Sequence, residues 1–346
     1  MEQGSLGELY LTRSVIKHIR KHNKSVATGS GVGKDYSMVK THSQWTVLSE
    51  SVAATPYIAW TKAMNNLYVS GGNVAGARVT YLLPKDIQEE QLKEYAASFN
   101  GLADDAGIQI IGGHTAVSGA YNVPTFLVEA LGETSDDLKL TGKAKPGYQV
   151  VMAGYTAMLG TNLIIDNRYE ELTSRFAVSY VEDGRFKDQP NCYSVEAIVK
   201  VAMELKSKAE LCYMHDISYG GVYGALWQTG EALNLGIKVN HCAIPIKQET
   251  VEFCNYYDIN PYMLEGAGAL ILVARDGECL TEALKKAGIS AEVVGVLTDN
   301  KERAVELTTA GMGEIPHMMT CGAGKIEKRF LTPVKGDEIY KVISAY

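Results

Sequence analysis

Residues 211–233 constrain the fold more than any other stretch of the chain. The segment opens on the apolar run Leu211, Cys212, Tyr213 and Met214 and passes through the polar cluster His215, Asp216 and Ser218. It then reaches the pair Gly220 and Gly221 and places a helically spaced series at 222, 225, 226, 229 and 233. A short apolar run bounded by turn signals predicts the end of a buried strand, and the later spacing predicts a helix with one face committed to a core. Gly220, Gly221 and Gly224 keep the opposite side of that helix short. Helix N-termini carry unsatisfied N–H donors and partial positive charge, so a glycine pair there lets an anion such as phosphate approach closely. A plainer account also fits the residues: Asp216 or Ser218 caps the helix, and the glycines make a tight turn.

A chain of 346 residues exceeds one comfortable core, which predicts two domains. The breaker-rich segment Thr141, Gly142, Lys143, Ala144, Lys145, Pro146 and Gly147 supplies the joint, giving domains at 1–144 and 145–346. A net charge of −7 without a long basic run argues against a nucleic-acid groove. The basic residues between Lys17 and Lys24 sit at helical spacing and read as a solvated face. No apolar run approaches the roughly 18 residues of a membrane span, and the N-terminus Met1, Glu2, Gln3 and Gly4 does not read as a basic leader with an apolar core. The six cysteines form no Cys-x-x-Cys pair and read as reduced core thiols, so the expectation is a cytoplasmic protein without a membrane partner.

Along the chain, a short helix is expected over 9–22, followed by the glycine-rich run from Thr28 through Gly29, Gly31, Gly33, Lys34 and Asp35. Such a loop can wrap a phosphate with its backbone. It lacks the Gly-Lys-Ser/Thr ending of a Walker loop and does not lead into a dinucleotide-binding helix. A strand over 45–52 carries Glu50, and a helix over 53–70 carries Asn65 and Asn66. A strand at 77–83, an amphipathic helix at 89–107, a strand at 109–111, a tight turn at Gly112, Gly113, His114 and Thr115, and a strand at 122–131 complete the first unit. The second unit takes strands at 149–153, 269–274 and 291–297, with helices near 160–176, 193–207 and 279–287. Helices and strands intermix throughout, which predicts an α/β (α+β) protein. Asp35, Glu50, Asn66 and His114 all sit at strand ends, turns or helices, where oxygen ligands could converge on magnesium and phosphate. Each also has a structural account, as turn residue, surface charge, helix cap or hydrogen-bonded histidine.

In order, Gly31 to Asp35, Asn65 and Asn66 with Gly76 and Ala77, Gly112 to Thr115, Lys145 to Gly147, and His215 to Gly221 resemble the aminoimidazole ribonucleotide (AIR) synthase superfamily. Within it the chain is most similar to the hydrogenase maturation factors of carbamoyl-dehydratase type, helped by Ala243 to Ile246, Asp258 to Tyr262 and Gly295 to Thr298. The resemblance runs from about residue 11 to 340 and implies a two-domain PurM-like fold. In it, N-terminal sheets pair across a homodimer into a barrel, and magnesium-ATP occupies a cleft. It implies phosphoryl transfer to an oxygen of a small-molecule or protein-bound acceptor. Carried over by position, Asp35, Asp216 and His114 are the expected catalytic residues. Gly31, Gly33, Lys34, Asn65, Gly112, Gly113, Thr115, Gly220 and Gly221 are expected to bind the nucleotide, and Asp35, Glu50 and Asn66 the metal.

The chain also departs from the pattern. Lys34 and His114 stand where relatives carry acids, Glu50 stands for a strand-end Asp, and Asn66 replaces the Asp after Asn. Each neutral or cationic replacement lowers the attraction for a divalent ion, by on the order of 4 kcal/mol per unit charge at about 4 Å and intermediate dielectric. An imidazole at 114 would also favour manganese or zinc over magnesium. The chain ends at Tyr346 and its last cysteine is Cys321, so thiocarboxamide chemistry on a tail cysteine is not expected. The alternative expectation is a catalytically reduced member that serves as a dimeric binding or assembly factor.

Overall fold

The structure is a computed structural model and describes residues 8–14, 16–18, 25–28, 31–41, 44–186, 192–309 and 325–344. It opens with α1 (Glu8–Ser14) and a 3-10 turn at Ile16–His18. The expected helix over 9–22 is therefore broken after about two turns, and its last residues lie outside the described ones. The chain divides into two compact units, one built on Lys34–Lys139 and one on Leu140–Ser344. The second also takes in α1 and Gly31–Gly33. The division thus falls at Lys139 and Leu140, just before the breaker-rich segment, where the sequence suggests 144 and 145. Gly142 already belongs to the later unit, since its N–H donates to the Cys212 carbonyl at 2.8 Å.

In the earlier unit the elements are β1 (Val26–Thr28), β2 (Ser37–Thr41), β3 (Gln44–Ala53), α2 (Pro56–Tyr68), β4 (Asn73–Leu83), α3 (Glu89–Ala106), β5 (Ile110–Val117) and β6 (Thr125–Thr134). They form a six-stranded sheet in the order β1-β2-β3-β6-β4-β5, antiparallel except for the β4–β5 pair. Alternation decides its faces. Trp45, Val47, Ser49, Val79, Phe126 and Val128 are buried, and the Ser49 hydroxyl donates to Ala63 of α2 at 2.7 Å, so this face lies under the helices. Tyr81, Tyr95, Phe99 and Phe126 pack edge to face there, with ring centroids 4.9–5.8 Å apart. The opposite face leaves Leu48 and Val52 43% and 57% exposed. Pro at the first turn starts α2, while reciprocal Gln88 and Gln91 bonds open α3 and a left-handed Gly107 closes it.

In the later unit, β7 (Gln149–Ala153) leads to α4 (Met158–Arg175), α5 (Val178–Asp183), α6 (Glu196–Glu204) and α7 (Lys206–Ala209). There follow β8 (Leu211–Ile217), α8 (Gly221–Leu233), β9 (Gly236–Asn240), α9 (Gln248–Tyr256), β10 (Ala269–Ala274), α10 (Gly277–Lys286), β11 (Ala291–Thr298), β12 (Arg303–Thr309) and β13 (Lys325–Phe330). Its sheet has the order β13-β12-β9-β11-β7-β10-β8 and is antiparallel except for β9–β12. All six residues of β10 are buried, as an unbroken apolar run at the inside of a covered sheet should be.

Two sequence expectations are corrected here. Cys192, Cys212, Cys254 and Cys279 are free thiols, but Cys242 is disulfide-bonded, with its partner outside the described residues. Cys242 sits exposed on the 3-10 turn His241–Ala243, and local sequence carries no sign of a distant thiol. Residues 112–115 form no tight turn: they lie within β5, hydrogen-bonded in parallel to β4. Of the glycine pair that suggests a turn, Gly113 is instead set by crowding, since a Cβ there would lie 1.8 Å from the Val79 carbonyl oxygen, whereas one on Gly112 would meet open space. No helix among the described residues is long and apolar enough to cross a membrane.

Candidate functional site

The motif stretch folds into β8, a glycine turn and α8, but its polar residues sit deeper than the sequence suggests. β8 runs through Ile217 and all seven of its residues are buried, with His215 3% and Asp216 4% exposed. Strand alternation puts Tyr213 and His215 on one face and Asp216 on the other. The first face is the one under α8, because His215 Nε2 lies 2.7 Å from Gln228 Oε1. Gln228 Nε2 in turn donates to Glu8 Oε1 at 2.7 Å, and Glu8 Oε2 accepts the Val334 N–H at 3.2 Å. Burial raises the Glu8 carboxyl to about 7, against the lowering effect of those hydrogen bonds. The Tyr213 hydroxyl donates to the Gly33 carbonyl at 2.9 Å.

The glycine turn is left-handed at Gly220 (φ 81°) and Gly221 (φ 62°), and both residues are buried. A Cβ on Gly220 would lie 2.6 Å from Val334 Cγ1, and one on Gly221 would lie 2.6 Å from the Tyr262 carbonyl oxygen. The N–H groups expected to await an anion are taken within the chain. Gly220 N–H donates to Asp337 Oδ2 at 2.7 Å, and Gly221 N–H to the Ser218 carbonyl at 3.0 Å. Asp337 Oδ1 also accepts from the Glu265 and Ile339 N–H groups, at 3.1 and 2.9 Å. The positive end of α8 is therefore met by an internal carboxylate, as the helix dipole favours. Ser218 donates to Glu265 Oε1 at 3.0 Å, and Ala267 N–H donates to the same oxygen at 3.2 Å. Burial, and then the neighbouring Glu265 charge, raise Asp337 to about 7. The side of α8 that carries the glycines is packed as well: a Cβ on Gly224 would lie 2.6 Å from Val334 Cγ2.

The same region of the later unit holds a buried aromatic and histidine group. Tyr223 OH lies 3.0 Å from His241 Nδ1, and the Tyr223 and Tyr262 rings stack at 5.3 Å. Burial lowers the His241 imidazole to about 4, keeping it neutral at physiological pH, so Nδ1 can accept the phenol proton.

The expected ligands of the earlier unit are dispersed on its own elements. Glu50 is exposed on β3 and alternates away from the helix-covered face, whereas Asn66 rides on α2 and its side-chain amide donates to the Glu50 backbone carbonyl at 3.4 Å. The Glu50 carboxylate and Asn66 thus lie on opposite sides of the sheet. His114 is exposed on β5, next to Thr80 of β4 and in the row adjoining Glu50 on the open face, where Arg78 pairs with Glu129 at 3.1 Å. Gly112 and Thr115 are exposed on the same edge strand, and Asn65 is fully buried on α2. Asp35 is half-buried and Lys34 exposed just before β2, and Asp35 adds to the burial that raises Tyr36 to about 12. Gly31 lies with Gly33 among the residues grouped with the later unit, while Gly29 is outside the described residues. Among the described residues no three His, Cys, Asp or Glu side chains gather as a metal cage. Magnesium bound through ATP needs only one or two carboxylates plus phosphate oxygens and water, and Asp35 could supply one.

Sequence reasoning missed Glu8, Gln228, Glu265 and Asp337. Gln228 meets His215 from within the same stretch, while Glu8, Glu265 and Asp337 reach that stretch across 220, 47 and 117 positions of chain, and no local pattern marks them.

Two family models match the chain: the AIR synthase related protein N-terminal domain over residues 32–134 and the C-terminal domain over 170–308. Carbamoyl dehydratase HypE of Azotobacter vinelandii is 23% identical over 248 residues, covering 68% of this chain and 69% of that protein. Selenide, water dikinase of a Sulfurovum species is 22% identical over 313 residues, covering 82% and 87%. The crystal structure of hydrogenase maturation protein HypE in complex with ATP superposes with a TM-score of 0.67 at 16% identity, covering 98% of this chain and 94% of that one. Its likeness establishes the two-domain α/β fold. With both halves of the family pattern present in order, the chain belongs to the AIR synthase related proteins.

Proposed function

We propose that this protein binds ATP with magnesium, or manganese, and transfers a phosphoryl group to an oxygen of a small-molecule or protein-bound acceptor. The observation that carries the reading is the glycine loop Gly31–Gly33, seated on the His215–Asp216 strand of an AIR synthase related fold and followed two residues later by Asp35. Support also comes from ATP in the superposable HypE complex and from the dikinase named among the relatives. Asp35 is the carboxylate we assign to the metal, with Lys34 beside the phosphates. Gly112, Gly113, Thr115 and His114 offer a second strip on β5, and Glu50 an outlying carboxylate. Positioning and charge neutralisation would carry most of the rate. We assign the protein a homodimer, for which the exposed Leu48 and Val52 on the open sheet face offer an apolar surface.

The test is ADP release with magnesium or manganese across candidate acceptors, with Asp35→Ala as the control. No turnover by the wild type, together with no rise in melting temperature on adding nucleotide, removes the reading.

One observation favours a second reading, a catalytically reduced binding or assembly factor. The Gly220 N–H, where an anion is expected, is already taken by Asp337. ATP hydrolysis at an ordinary enzymic rate would exclude that reading.

A further inference from the structure

The Tyr213 hydroxyl ties the glycine loop to the motif strand. Tyr213 OH donates to the Gly33 carbonyl at 2.9 Å, and Gly33 itself is held in a left-handed conformation at φ 67°. A Cβ at Gly33 would lie 2.6 Å from the Gln228 carbonyl oxygen and 3.0 Å from Ala232 Cβ, so the loop tip rests directly on α8. Only glycine meets both demands, the positive φ and the close approach. The turn of α8 beneath it is braced in its own right. Gln228 bonds His215 Nε2 with its oxygen and Glu8 Oε1 with its nitrogen, each at 2.7 Å, and Glu8 is tied to the Val334 N–H. The amide nitrogen donates to the Glu8 carboxyl, which leaves the amide oxygen to accept from the His215 ring at Nε2.

A loop of alternate glycines has no preferred shape of its own, because glycine is permissive on both sides of φ. Its capacity to present N–H groups in a fixed array therefore depends on what holds it. We propose that Tyr213 is a positioning residue that seats the glycine loop for nucleotide binding, with the Glu8–Gln228–His215 chain as the brace beneath the seat. The proposal rests on the ATP-binding reading and adds to it Gln228 of α8 and, from far outside the motif stretch, Glu8 of α1.

The experiment compares full-length wild type, Tyr213→Phe and Glu8→Gln by calorimetric titration with a non-hydrolysable ATP analogue and magnesium. Amide hydrogen exchange over residues 31–36 is followed in the absence of nucleotide. Tyr213→Phe keeps the ring and removes the donor, so the expected result is a roughly five- to tenfold weaker Kd with an unchanged melting temperature. Faster exchange in the loop should accompany it, and Glu8→Gln should move both readouts in the same direction by less. In turnover, KM for ATP should rise while kcat holds. Wild-type affinity and loop exchange in Tyr213→Phe overturn the proposal. If the wild type binds no nucleotide the ATP-binding reading falls, and the seat is then decided by exchange alone, unchanged exchange in Tyr213→Phe refuting it.

Discussion

Replacing Glu265 by Gln should make the protein's stability less dependent on pH. Asp337 is buried at the N-terminus of α8 and raised from 3.8 to about 7, first by burial and second by the Glu265 charge. A carboxyl whose folded pKa lies above its unfolded value binds a proton in the native state that the unfolded chain has already released. Its contribution is therefore intact below about pH 4, and it is lost as pH rises through 7. One proton per pH unit is worth about 1.36 kcal/mol, so the window from pH 4 to 7 spans on the order of 4 kcal/mol. Glu265→Gln removes the second cause and leaves the first. It keeps an oxygen to accept from the Ser218 hydroxyl and the Ala267 N–H. Less than half of the span should disappear, under about 2 kcal/mol. Urea unfolding of wild type and variant at pH 5, 6, 7 and 8 measures this. Any fixed cost of the new amide shifts the variant equally at every pH, so the informative quantity is the trend. The variant should gain on the wild type as pH rises. A difference between the two that stays constant from pH 5 to 8 would refute the coupling of Asp337 to Glu265.

The His241 imidazole, lowered to about 4 by burial, carries the opposite slope. Stability should fall as pH drops from 6.5 towards 4, by on the order of 3 kcal/mol, and His241→Asn, which keeps an acceptor for the Tyr223 hydroxyl, should flatten that limb in the same urea series. The two glycines of β5 separate crowding from ligand binding. Gly112→Ala meets nothing within 4 Å and should unfold within about 0.5 kcal/mol of wild type, while Gly113→Ala, facing Val79, should lose 3 kcal/mol or more, roughly the upper range for overpacking. Gly112→Ala that weakens nucleotide binding without loss of stability would mark the N–H strip as a ligand surface. Gly221→Ala, pressed between the Tyr262 and Leu264 carbonyls at positive φ, should cost about 3 kcal/mol in chemical denaturation. Gly107→Ala, at a similar φ in open space, should cost about 1.

Much of the architecture follows from the sequence, because local periodicity is read one element at a time. The strand expected over 45–52 and the amphipathic helix over 89–107 appear at 44–53 and 89–106, and the apolar run at 269–274 and the strand, glycine turn and helix from 211 to 233 appear as well. So does the family, since its motifs are short, ordered and local. Tertiary structure decided what those motifs face. Glycine pairs look alike in sequence whether they bend a chain, admit an anion or yield to a crowding neighbour. Gly112 and Gly113 proved to be strand residues, only the second of them crowded by Val79, and Gly220 and Gly221 a buried turn whose first N–H meets Asp337, 117 positions away. The seat of Gly33 on Tyr213 and the tie from Glu8 to Gln228 arise in the same way. Hydrogen bonds and carboxylate pairs join groups that are distant along the chain, and only the folded packing sets their distances. The sequence by itself determined the elements and the kinship, and the fold decided which donors were left for a ligand.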